Sequence, residues 1–445
     1  MGVKVSKKVH LIAVGGAIMH NMAIALQNRG YEVSGSDDAI YDPALSNLKE
    51  AKVPIYIGWD ADHISTDLDY IILGMHARQD NPEILKAQEL GLRIMSFPEF
   101  VANESRDKTR LVIAGSHGKT TTTAMIMHVL SELDMDFDYL VGSSIDGFDL
   151  SVKLSDAPLI VIEGDEYLSS PLDLRSKFLW YEPHLSIITG IAYDHINVFP
   201  TFDLYLDTFD KYIKSHAPKG KYYWFEKDEY LENLSALNTT QNNSYVTPQY
   251  EMDSNGSVVF MDGAKYELSV VGRHNLENMR AAQLVCNDLG ISTAEFYASA
   301  ASFTGAGRRM EKIINKPHQV VYRDFAHSPS KLKATTEAVS ETYKGELLAV
   351  FELHTFSSLN EKFLPLYENS MQSADRAIVF YNSAVFAHRK MKVLEADFVE
   401  KCFIDVQIIN DVKELEREVN KEYLAGKNIL LMSSGTFEKA AFRLD

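Results

Sequence analysis

A glycine-rich turn between an apolar run and a helical pattern constrains the fold of this chain more than any other feature. Leu111–Ala114 is apolar, residues 115–123 read GSHGKTTTT, and Ala124–Leu133 has helical spacing. In a strand–turn–helix unit of this kind, backbone N–H groups point at phosphate oxygens, and the positive end of the helix dipole reinforces them. The sequence therefore predicts a P-loop that binds nucleotide phosphates within an α/β domain.

The side chains of this loop predict that the nucleotide is bound together with Mg²⁺. Lys119 would reach the β- and γ-phosphates, and the hydroxyl of Thr120 would ligate Mg²⁺. The strict Walker pattern has its first glycine five residues before Gly118, where this chain has Ile113, so Gly115 closes a tighter loop. The residues expected to contact the nucleotide here are Gly115, Ser116, His117, Gly118, Lys119, Thr120 and Thr121.

Acidic residues and a histidine follow two further apolar runs. Leu159–Glu163 ends in a carboxylate, and Ser186–Ala192 is followed closely by His195. A carboxylate at a strand end beside a P-loop supplies the hard oxygen ligands that Mg²⁺ prefers, and a neutral imidazole can ligate a second metal ion. Without the P-loop, the same acids would indicate only a solvated turn. The sequence predicts metal ligation by Thr120, Glu163 and His195.

Strands alternate with helical patterns in three blocks, which predicts an α/β fold with parallel sheets. At roughly 150 residues per domain, 445 residues suggest about three domains. We expect these domains at residues 1–107, 108–313 and 314–445. The polar stretch Asn103–Arg110 predicts a linker, and Asn233–Tyr245, which is poor in large apolar residues, predicts a loop.

Composition excludes several classes of partner and site. The chain has 62 acidic and 44 basic residues, a net charge of −18, which argues against a nucleic-acid partner. Its two cysteines, Cys286 and Cys402, form no CxxC pair, so we expect a reducing compartment, the cytoplasm. No apolar run reaches the ~18 to 20 residues of a membrane span, so we expect no membrane partner.

Six short motifs occur in a fixed order along the chain. They are GSHGKTTT at 115–122, EGDEY at 163–167, Asp194-His195, GRHNLEN at 272–278, RRME at 308–311 and DFAHSP at 324–329. With these motifs in this order and spacing, the chain resembles the Mur ligase family of peptidoglycan synthesis over essentially its whole length. The resemblance implies a three-domain architecture: a Rossmann-like N-terminal domain for a UDP-substrate, a central P-loop ATPase, and a C-terminal Rossmann-like domain for the incoming amine.

The resemblance also implies roles for individual residues, with ATP as co-substrate and two Mg²⁺ ions as cofactors. His274, Asn275 and Asn278 would contact the adenine side and the γ-phosphate region, and Arg309 would contact phosphate. Asp324 and His327 would reach the nucleotide from the third domain. The residues expected to carry the catalysis are Lys119, Glu163, His195 and Arg309.

The N-terminal turn departs from the family pattern. Gly15-Gly16 follows an apolar run and suits a pyrophosphate at a helix N-terminus, and Asp37 lies at the spacing of a ribose-binding acid. His20 and Asn21 stand where small residues are common. By itself this segment predicts a dinucleotide-binding domain equally well, and His76 would either contact the UDP group or cap a loop. The expected UDP-substrate residues are Gly15, Gly16, Asp37 and His76.

Within the family, the chain resembles the two branches that use UDP-N-acetylmuramate. Gly35-Ser36-Asp37 and Arg175–Phe178 are more similar to the branch that adds the tripeptide L-alanyl-γ-D-glutamyl-meso-diaminopimelate, whereas the segment around His354 is more similar to the branch that adds L-alanine. We expect the tripeptide as amine substrate, with L-alanine as the alternative, and a monomer or homodimer. A non-catalytic regulator that binds nucleotide and UDP-sugar is the alternative from another class. A folate-elongating relative would lack the N-terminal domain.

Overall fold

The structure is a computed structural model in which residues 6–307, 309–382, 385–386 and 391–444 are described. Arg308, the first residue of the RRME motif, lies outside them. Strands alternate with helices along the chain, which confirms the predicted α/β class. The strands are β1 (Lys8–Ile12), β2 (Glu32–Asp37), β3 (Ile55–Ile57), β4 (Tyr70–Leu73), β5 (Arg93–Ser96), β6 (Thr109–Ala114), β7 (Asp138–Leu140), β8 (Val152–Lys153), β9 (Leu159–Glu163), β10 (Leu185–Ile188), β11 (Lys221–Phe225), β12 (Gln241–Tyr245), β13 (Gln249–Asp253), β14 (Gly256–Met261), β15 (Ala264–Leu268), β16 (Glu311–Lys316), β17 (Gln319–Asp324), β18 (Leu347–Glu352), β19 (Arg376–Phe380), β20 (Val406–Ile409) and β21 (Asn428–Met432).

Helices occupy the connections between these strands. The α-helices in the described residues are α1 (Ala17–Asn28), α2 (Ala44–Glu50), α3 (Pro82–Glu89), α4 (Phe97–Glu104), α5 (Lys119–Glu132), α6 (Phe202–Lys214), α7 (Glu229–Leu237), α8 (Arg273–Asp288), α9 (Thr293–Ala300), α10 (Pro329–Thr342), α11 (Ala396–Lys401) and α12 (Val412–Leu424). Each of these helices is too short or too polar to cross a membrane.

The first sheet places the N-terminal glycine turn at a topological switch point. Its order is β3-β2-β1-β4-β5, with parallel pairing throughout. Strands β1 and β4 are almost entirely buried because both faces of the sheet are covered. The chain leaves β1 and β4 in opposite lateral directions, and the crevice at their carboxyl ends is the usual ligand position in such sheets. Gly15 follows β1 there.

The second sheet carries the P-loop on its central strand. Its order is β12-β11-β10-β6-β9-β7-β8, and β6 pairs in parallel with both β9 and β10. Leu111–Ala114 of β6 is fully buried. The predicted strand and helix on either side of the turn are therefore confirmed, and the helix begins five residues earlier than its apolar pattern suggested, at Lys119.

The third sheet is parallel apart from its first strand. Its order is β16-β17-β21-β18-β19-β20, and only the β16–β17 pair is antiparallel. Helices α10 and α12 pack on it. A separate antiparallel sheet, β13-β14-β15, lies between the second and third sheets in sequence. The domain boundaries at 107 and 313 stay predictions.

The chain groups into two compact units that do not follow the sheets one by one. Among the described residues, the first unit contains those up to Gly115, Leu130–Thr189 and Leu206–Ser244. The second contains Ser116–Val129, Gly190–Tyr205 and the described residues from Tyr245 onward. The first sheet and, apart from Tyr245 of β12, the second sheet therefore lie in the first unit, whereas the start of helix α5 and the third sheet lie in the second.

Two predictions about connecting segments are wrong. Asn103–Arg110 is not a linker, because α4 extends to Glu104 and β6 begins at Thr109. Asn233–Tyr245 is not a loop, because it contains the end of α7 and the whole of β12. In β12 only Tyr245 is buried, so an edge strand with so few buried positions shows no apolar alternation in its sequence.

Candidate nucleotide-binding site

The P-loop backbone makes a close approach that only glycine allows. Gly118 has a φ of 75°, and a Cβ atom on it would lie 2.6 Å from Oδ1 of Asn278. Asn278 is buried on helix α8. The second unit therefore brings together two residues that the sequence predicted separately for ATP, one from the glycine turn and one from the GRHNLEN motif.

Ser116 is buried, and its hydrogen bonds fix the start of the loop. Its amide N–H donates to the carbonyl oxygen of Gly190 at 2.8 Å. Its hydroxyl oxygen accepts from the amide of Ala192 at 2.9 Å and lies 2.7 Å from the hydroxyl of Tyr205. The side chain of Ser116 is 5% exposed. These bonds hold the turn against the segment that continues to His195.

A buried carboxylate organises the residues around His195. Asp194 is 5% exposed, and its Oδ1 accepts from the amide of His195 at 2.7 Å and from the hydroxyl of Ser357 at 3.0 Å. Burial opposes ionisation of Asp194, but the nearby His195 and Lys331 hold its pKa below the ordinary value. His195 itself has a φ of 55°, a left-handed conformation that these contacts maintain.

Asp194, Lys331 and Ser357 were not among the predicted site residues. Asp194 is part of the Asp194-His195 motif, but the sequence predicted a role only for His195. Ser357 lies 163 residues from Asp194 along the chain, and no local pattern marks it. Only the fold brings the two together.

His274 and His327 are neutral at physiological pH. Burial, aided by the charge of Arg273, lowers the pKa of His274 to about 4. Burial and the charge of Lys331 lower the pKa of His327 to about 3, and its Nδ1 lies 2.7 Å from the carbonyl oxygen of Phe325. A neutral imidazole offers one donor and one acceptor, so both side chains suit hydrogen bonding to a nucleotide better than charge neutralisation of its phosphates.

Asp324 is engaged with backbone amides. Its Oδ2 accepts from the amide of Met310 at 2.6 Å, and its Oδ1 accepts from the amide of Ala326 at 2.7 Å. Burial raises its pKa, while Arg309 and the two amides act in the opposite direction. The guanidinium of Arg309 lies 4.5 Å from the ring centroid of Phe325. Asp324 therefore positions the loop that carries Arg309.

A small cavity in the second unit collects three of the predicted ATP residues. It has a volume of about 70 Å³, and its lining includes Thr121, Asn275 and Arg309 together with Lys312 and Tyr322. Asn275 donates from Nδ2 to the carbonyl oxygen of Val271 at 2.8 Å, which fixes the orientation of its amide. The cavity joins the P-loop helix, the GRHNLEN helix and the start of the third sheet.

In the first unit, Glu163 ends β9 and is oriented by the backbone. The amide of Gly142 donates to its Oε2 at 2.8 Å. A Cβ atom on Gly142 would lie 3.4 Å from that same oxygen, so the backbone passes close to the carboxylate. The carboxylate oxygens of Glu163 and the hydroxyl of Thr120 are the hard donors that Mg²⁺ takes, so the predicted residues fit this metal chemically.

The N-terminal turn engages its predicted acid directly. The amide of Gly15 donates to Oδ2 of Asp37 at 2.7 Å, and a Cβ atom on Gly15 would lie 2.9 Å from that oxygen. Burial, with a contribution from Asp38, raises the pKa of Asp37 to about 6. His76 is exposed in the turn after β4. The structure thus joins Gly15 to Asp37 and leaves His76 at the surface.

Comparison with known proteins identifies the family. Three sequence models match the chain in order: "Mur ligase family, catalytic domain" at residues 8–109, "Mur ligase middle domain" at 113–286 and "Mur ligase, glutamate ligase domain" at 308–435. The UDP-N-acetylmuramate–L-alanine ligase of Caldicellulosiruptor bescii is 30% identical over 97% of this chain and 97% of its own length. The chain belongs to the Mur ligase family.

Other relatives of this Mur ligase differ in the amine that their names give. The UDP-N-acetylmuramate–L-alanyl-γ-D-glutamyl-meso-2,6-diaminoheptandioate ligase of Escherichia coli is 28% identical over 97% of this chain and 96% of its own length. Among solved structures, the UDP-N-acetylmuramate–alanine ligase of Thermotoga maritima superposes with a TM-score of 0.72 at 21% identity, covering 98% of each chain. A murein peptide ligase from Psychrobacter arcticus superposes with a TM-score of 0.69 at 24% identity, covering 99% and 98%.

These comparisons confirm the expected three-domain Mur ligase architecture and the enzyme class. The protein is an ATP-dependent ligase that forms an amide bond in peptidoglycan synthesis, and Mur ligases use Mg²⁺ with ATP. Both branches that the sequence resembled are represented among its relatives. The predicted contacts of individual residues with ATP, Mg²⁺ and the UDP-substrate stay predictions.

Proposed function

We propose that this Mur ligase joins the carboxylate of UDP-N-acetylmuramate to the amino group of L-alanyl-γ-D-glutamyl-meso-diaminopimelate in the cytoplasm. The carboxylate attacks the γ-phosphate of ATP and forms an acyl phosphate with release of ADP. The amine then attacks the acyl carbon, the carbon–oxygen bond breaks, and inorganic phosphate leaves with formation of the amide. Each step develops charge on phosphate oxygens, which preorganised donors stabilise.

The residues of the P-loop are suited to that stabilisation. The N-terminus of helix α5 begins at Lys119, so its first amides and the ammonium group would face the β- and γ-phosphates. Mg²⁺, held by Thr120, Glu163 and His195 in our proposal, would supply further charge compensation when bound. Arg309, on the loop that Asp324 positions, would contact phosphate from the other side of the small cavity.

A groove in the second unit supports a peptide as the amine substrate, and this observation carries the choice. It has a volume of about 440 Å³, within the range of roughly 300–1,000 Å³ typical of small-molecule pockets. Loops that follow strands β18 and β19 line it on one side, and Ile196, next to His195, lies on the other. L-Alanine alone would leave most of such a groove empty.

The charges of this groove match those of the tripeptide. Lys362 and Lys392 line it together with Glu361, whose Oε1 lies 4.0 Å from Nζ of Lys392. The tripeptide ends in a diaminopimelate residue with carboxylates and a free ammonium group. Two lysines and one glutamate offer complementary charges to those groups, and Leu359 and Leu394 offer apolar contact to its methylenes.

A specific observation favours L-alanine as the second candidate. His354 follows β18, at the position where the sequence is more similar to the alanine-adding branch, and its Nδ1 lies 3.4 Å from the hydroxyl of Ser434. The Caldicellulosiruptor bescii relative is named for L-alanine as well. The two candidates differ only in the amine, so one competition experiment separates them.

The test is to offer both amines at once. The enzyme is incubated with ATP, Mg²⁺, UDP-N-acetylmuramate and equal concentrations of L-alanine and tripeptide. The product is then identified from its mass by mass spectrometry. We expect the tripeptide adduct to dominate. We also expect Lys362→Ala/Lys392→Ala to raise KM for the tripeptide about tenfold, whereas the matched control Lys265→Ala, an exposed lysine of the β14–β15 hairpin, leaves it unchanged. A product that contains only L-alanine would overturn the proposal.

A further inference from the structure

The N-terminal helix carries two buried polar residues that the P-loop chemistry does not use. His20 is 5% exposed and Asn21 is 8% exposed, both on helix α1 immediately after the Gly15-Gly16 turn. Burying polar side chains beside an apolar helix face costs free energy unless their hydrogen bonds are made. The partners of these two side chains therefore show what their burial achieves.

The first bonds run back to the glycine turn. Nδ1 of His20 lies 2.8 Å from the carbonyl oxygen of Gly16, and Nε2 lies 3.0 Å from Nδ2 of Asn21. Nδ2 of Asn21 also donates to the carbonyl oxygen of Ala17 at 2.8 Å. This arrangement uses the imidazole as a donor at Nδ1 and an acceptor at Nε2, the neutral form, and burial lowers the pKa of His20.

The next bonds run forward to the second sheet. Oδ1 of Asn21 accepts from the amide of Ser151 at 3.2 Å. The carbonyl oxygen of Ser151 accepts from the amide of Val141 at 2.9 Å. The amide of the following residue, Gly142, donates to Oε2 of Glu163 at 2.8 Å. These hydrogen bonds, together with the backbone of Ser151 and the backbone from Val141 to Gly142, thus form a path that joins the turn at Gly16 to Glu163, all within the first unit.

We propose that His20 and Asn21 are positioning residues that hold the glycine turn for the UDP-substrate in register with Glu163. The inference rests on the proposed function, because it assigns the two ends of the path to the sugar substrate and to Mg²⁺. A substrate held at Gly15-Gly16 must present its carboxylate to a phosphate ordered near Glu163. A shift of about 1 Å between those points is enough to slow such a reaction by as much as ~10².

One hydrogen bond in the middle of this path can be removed by a substitution that changes neither Gly16 nor Glu163. Asn21→Leu has similar volume and removes the bond to Ser151, while the bond between His20 and Gly16 can persist. We therefore expect kcat to fall about tenfold or more, with the Kd of UDP-N-acetylmuramate and the KM of ATP within threefold of wild type. Asn28→Leu, exposed at the end of the same helix, is the matched control and keeps the wild-type kcat.

A second pair of variants tests His20 without relying on the first. His20→Phe keeps an aromatic ring and removes both hydrogen bonds, so its kcat should fall like that of Asn21→Leu. His20→Gln offers an NH2 donor group and a carbonyl acceptor at its terminal amide, so it should regain most of the lost rate. A purely structural role would lower the melting temperature but leave the kcat of the folded enzyme unchanged, so the melting temperature of each variant is also measured.

The outcomes separate this inference from the proposed function. If wild-type enzyme forms product, and Asn21→Leu and His20→Phe fold but keep the wild-type kcat, the positioning role is wrong and the proposed function stands. A lowered melting temperature with unchanged kcat would also overturn the positioning role. If His20→Phe does not fold, Asn21→Leu alone decides. If wild-type enzyme forms no amide with either amine, the proposed function itself fails.

Discussion

Lys119 is the residue whose removal has the clearest expected effect. It is the first residue of helix α5, directly after the glycine turn. We predict that Lys119→Ala lowers the rate of phosphate release by about 10² to 10³, the usual loss when one preorganised donor to developing charge is removed. Lys265→Ala is the control for a lost lysine. A rate for Lys119→Ala within threefold of wild type would contradict the assignment.

Asp37 makes the stability of the enzyme depend on pH in a defined direction. Its folded-state pKa of about 6 is above the value of roughly 3.9 for an unfolded chain, so the folded state binds this proton more tightly. The ionised carboxylate therefore costs folding free energy above about pH 6, and the cost disappears as pH falls toward 4. The free energy of unfolding of the wild-type enzyme should therefore fall relative to that of Asp37→Asn as the pH rises from about 4 to above 6.

The size of that effect follows from the pKa shift. A shift of about 2 pKa units corresponds to at most about 3 kcal/mol, so we predict a relative change of about 1–3 kcal/mol between pH 4 and pH 7.5. The measurement is the free energy of unfolding in urea for both proteins at both pH values. An identical pH dependence for wild type and Asp37→Asn would show that Asp37 does not titrate abnormally.

At the scale of single residues, the motifs supplied the candidate site residues, whereas the neighbours that each of them contacts could not be predicted. Gly118 and Asn278 were both predicted to meet ATP, and the structure brings them into contact. The nucleotide contact predicted for Asp324 stays a prediction, and the sequence did not show that its carboxylate oxygens accept from the amides of Met310 and Ala326. Motifs mark which residues matter, whereas the partner of a carboxylate depends on loops that only the folded chain brings near.

Among the elements, the turn into helix α5 allows a steric test. Gly118→Ala would place a Cβ atom 2.6 Å from Asn278 Oδ1, in addition to straining a φ of 75°. We predict at least a tenfold loss of ATP affinity, measured by titration calorimetry. Gly426→Ala is the matched control. Gly426 has a φ of 83°, and a Cβ atom added to it would have no neighbouring atom within 4 Å. The variant carries a strain of about 1–2 kcal/mol without the clash.

The two glycine variants are distinguished by their melting temperature and their ATP affinity. Gly426→Ala should lower the melting temperature slightly and bind ATP like wild type. Gly118→Ala should lose affinity even at temperatures where it is fully folded. Equal ATP affinity for Gly118→Ala and wild type would mean that the turn does not lie against the phosphates.

Elements with a buried face were predictable, and exposed edge elements were not. The buried run Leu159–Glu163 was predicted with its observed bounds, because its apolar residues mark it in the sequence. Strand β12, with the sequence QNNSY, was predicted as a loop, because only Tyr245 is buried. Its structure comes from pairing at the edge of the second sheet, and such pairing leaves no periodic signal in an exposed strand.

For the molecule as a whole, the α/β fold class follows from the alternation of strands and helices, which the sequence shows. The grouping into two compact units does not follow from it. Ser116–Val129 and Gly190–Tyr205 belong to the second unit although the strands before them belong to the first. Motif spacing predicts which strands, turns and helices follow one another along the chain. The unit to which each of them belongs depends on packing between residues that are distant in sequence.

In the proposed reaction, one glycine turn orders a triphosphate for attack by a sugar carboxylate. The most direct measurement is a crystal structure with a non-hydrolysable ATP analogue, Mg²⁺ and UDP-N-acetylmuramate. We predict phosphate oxygens within hydrogen-bonding distance of the amides between Gly115 and Thr120, and Mg²⁺ bound by Glu163. An analogue bound elsewhere, with that turn making no phosphate contact, would contradict the proposed role of the turn.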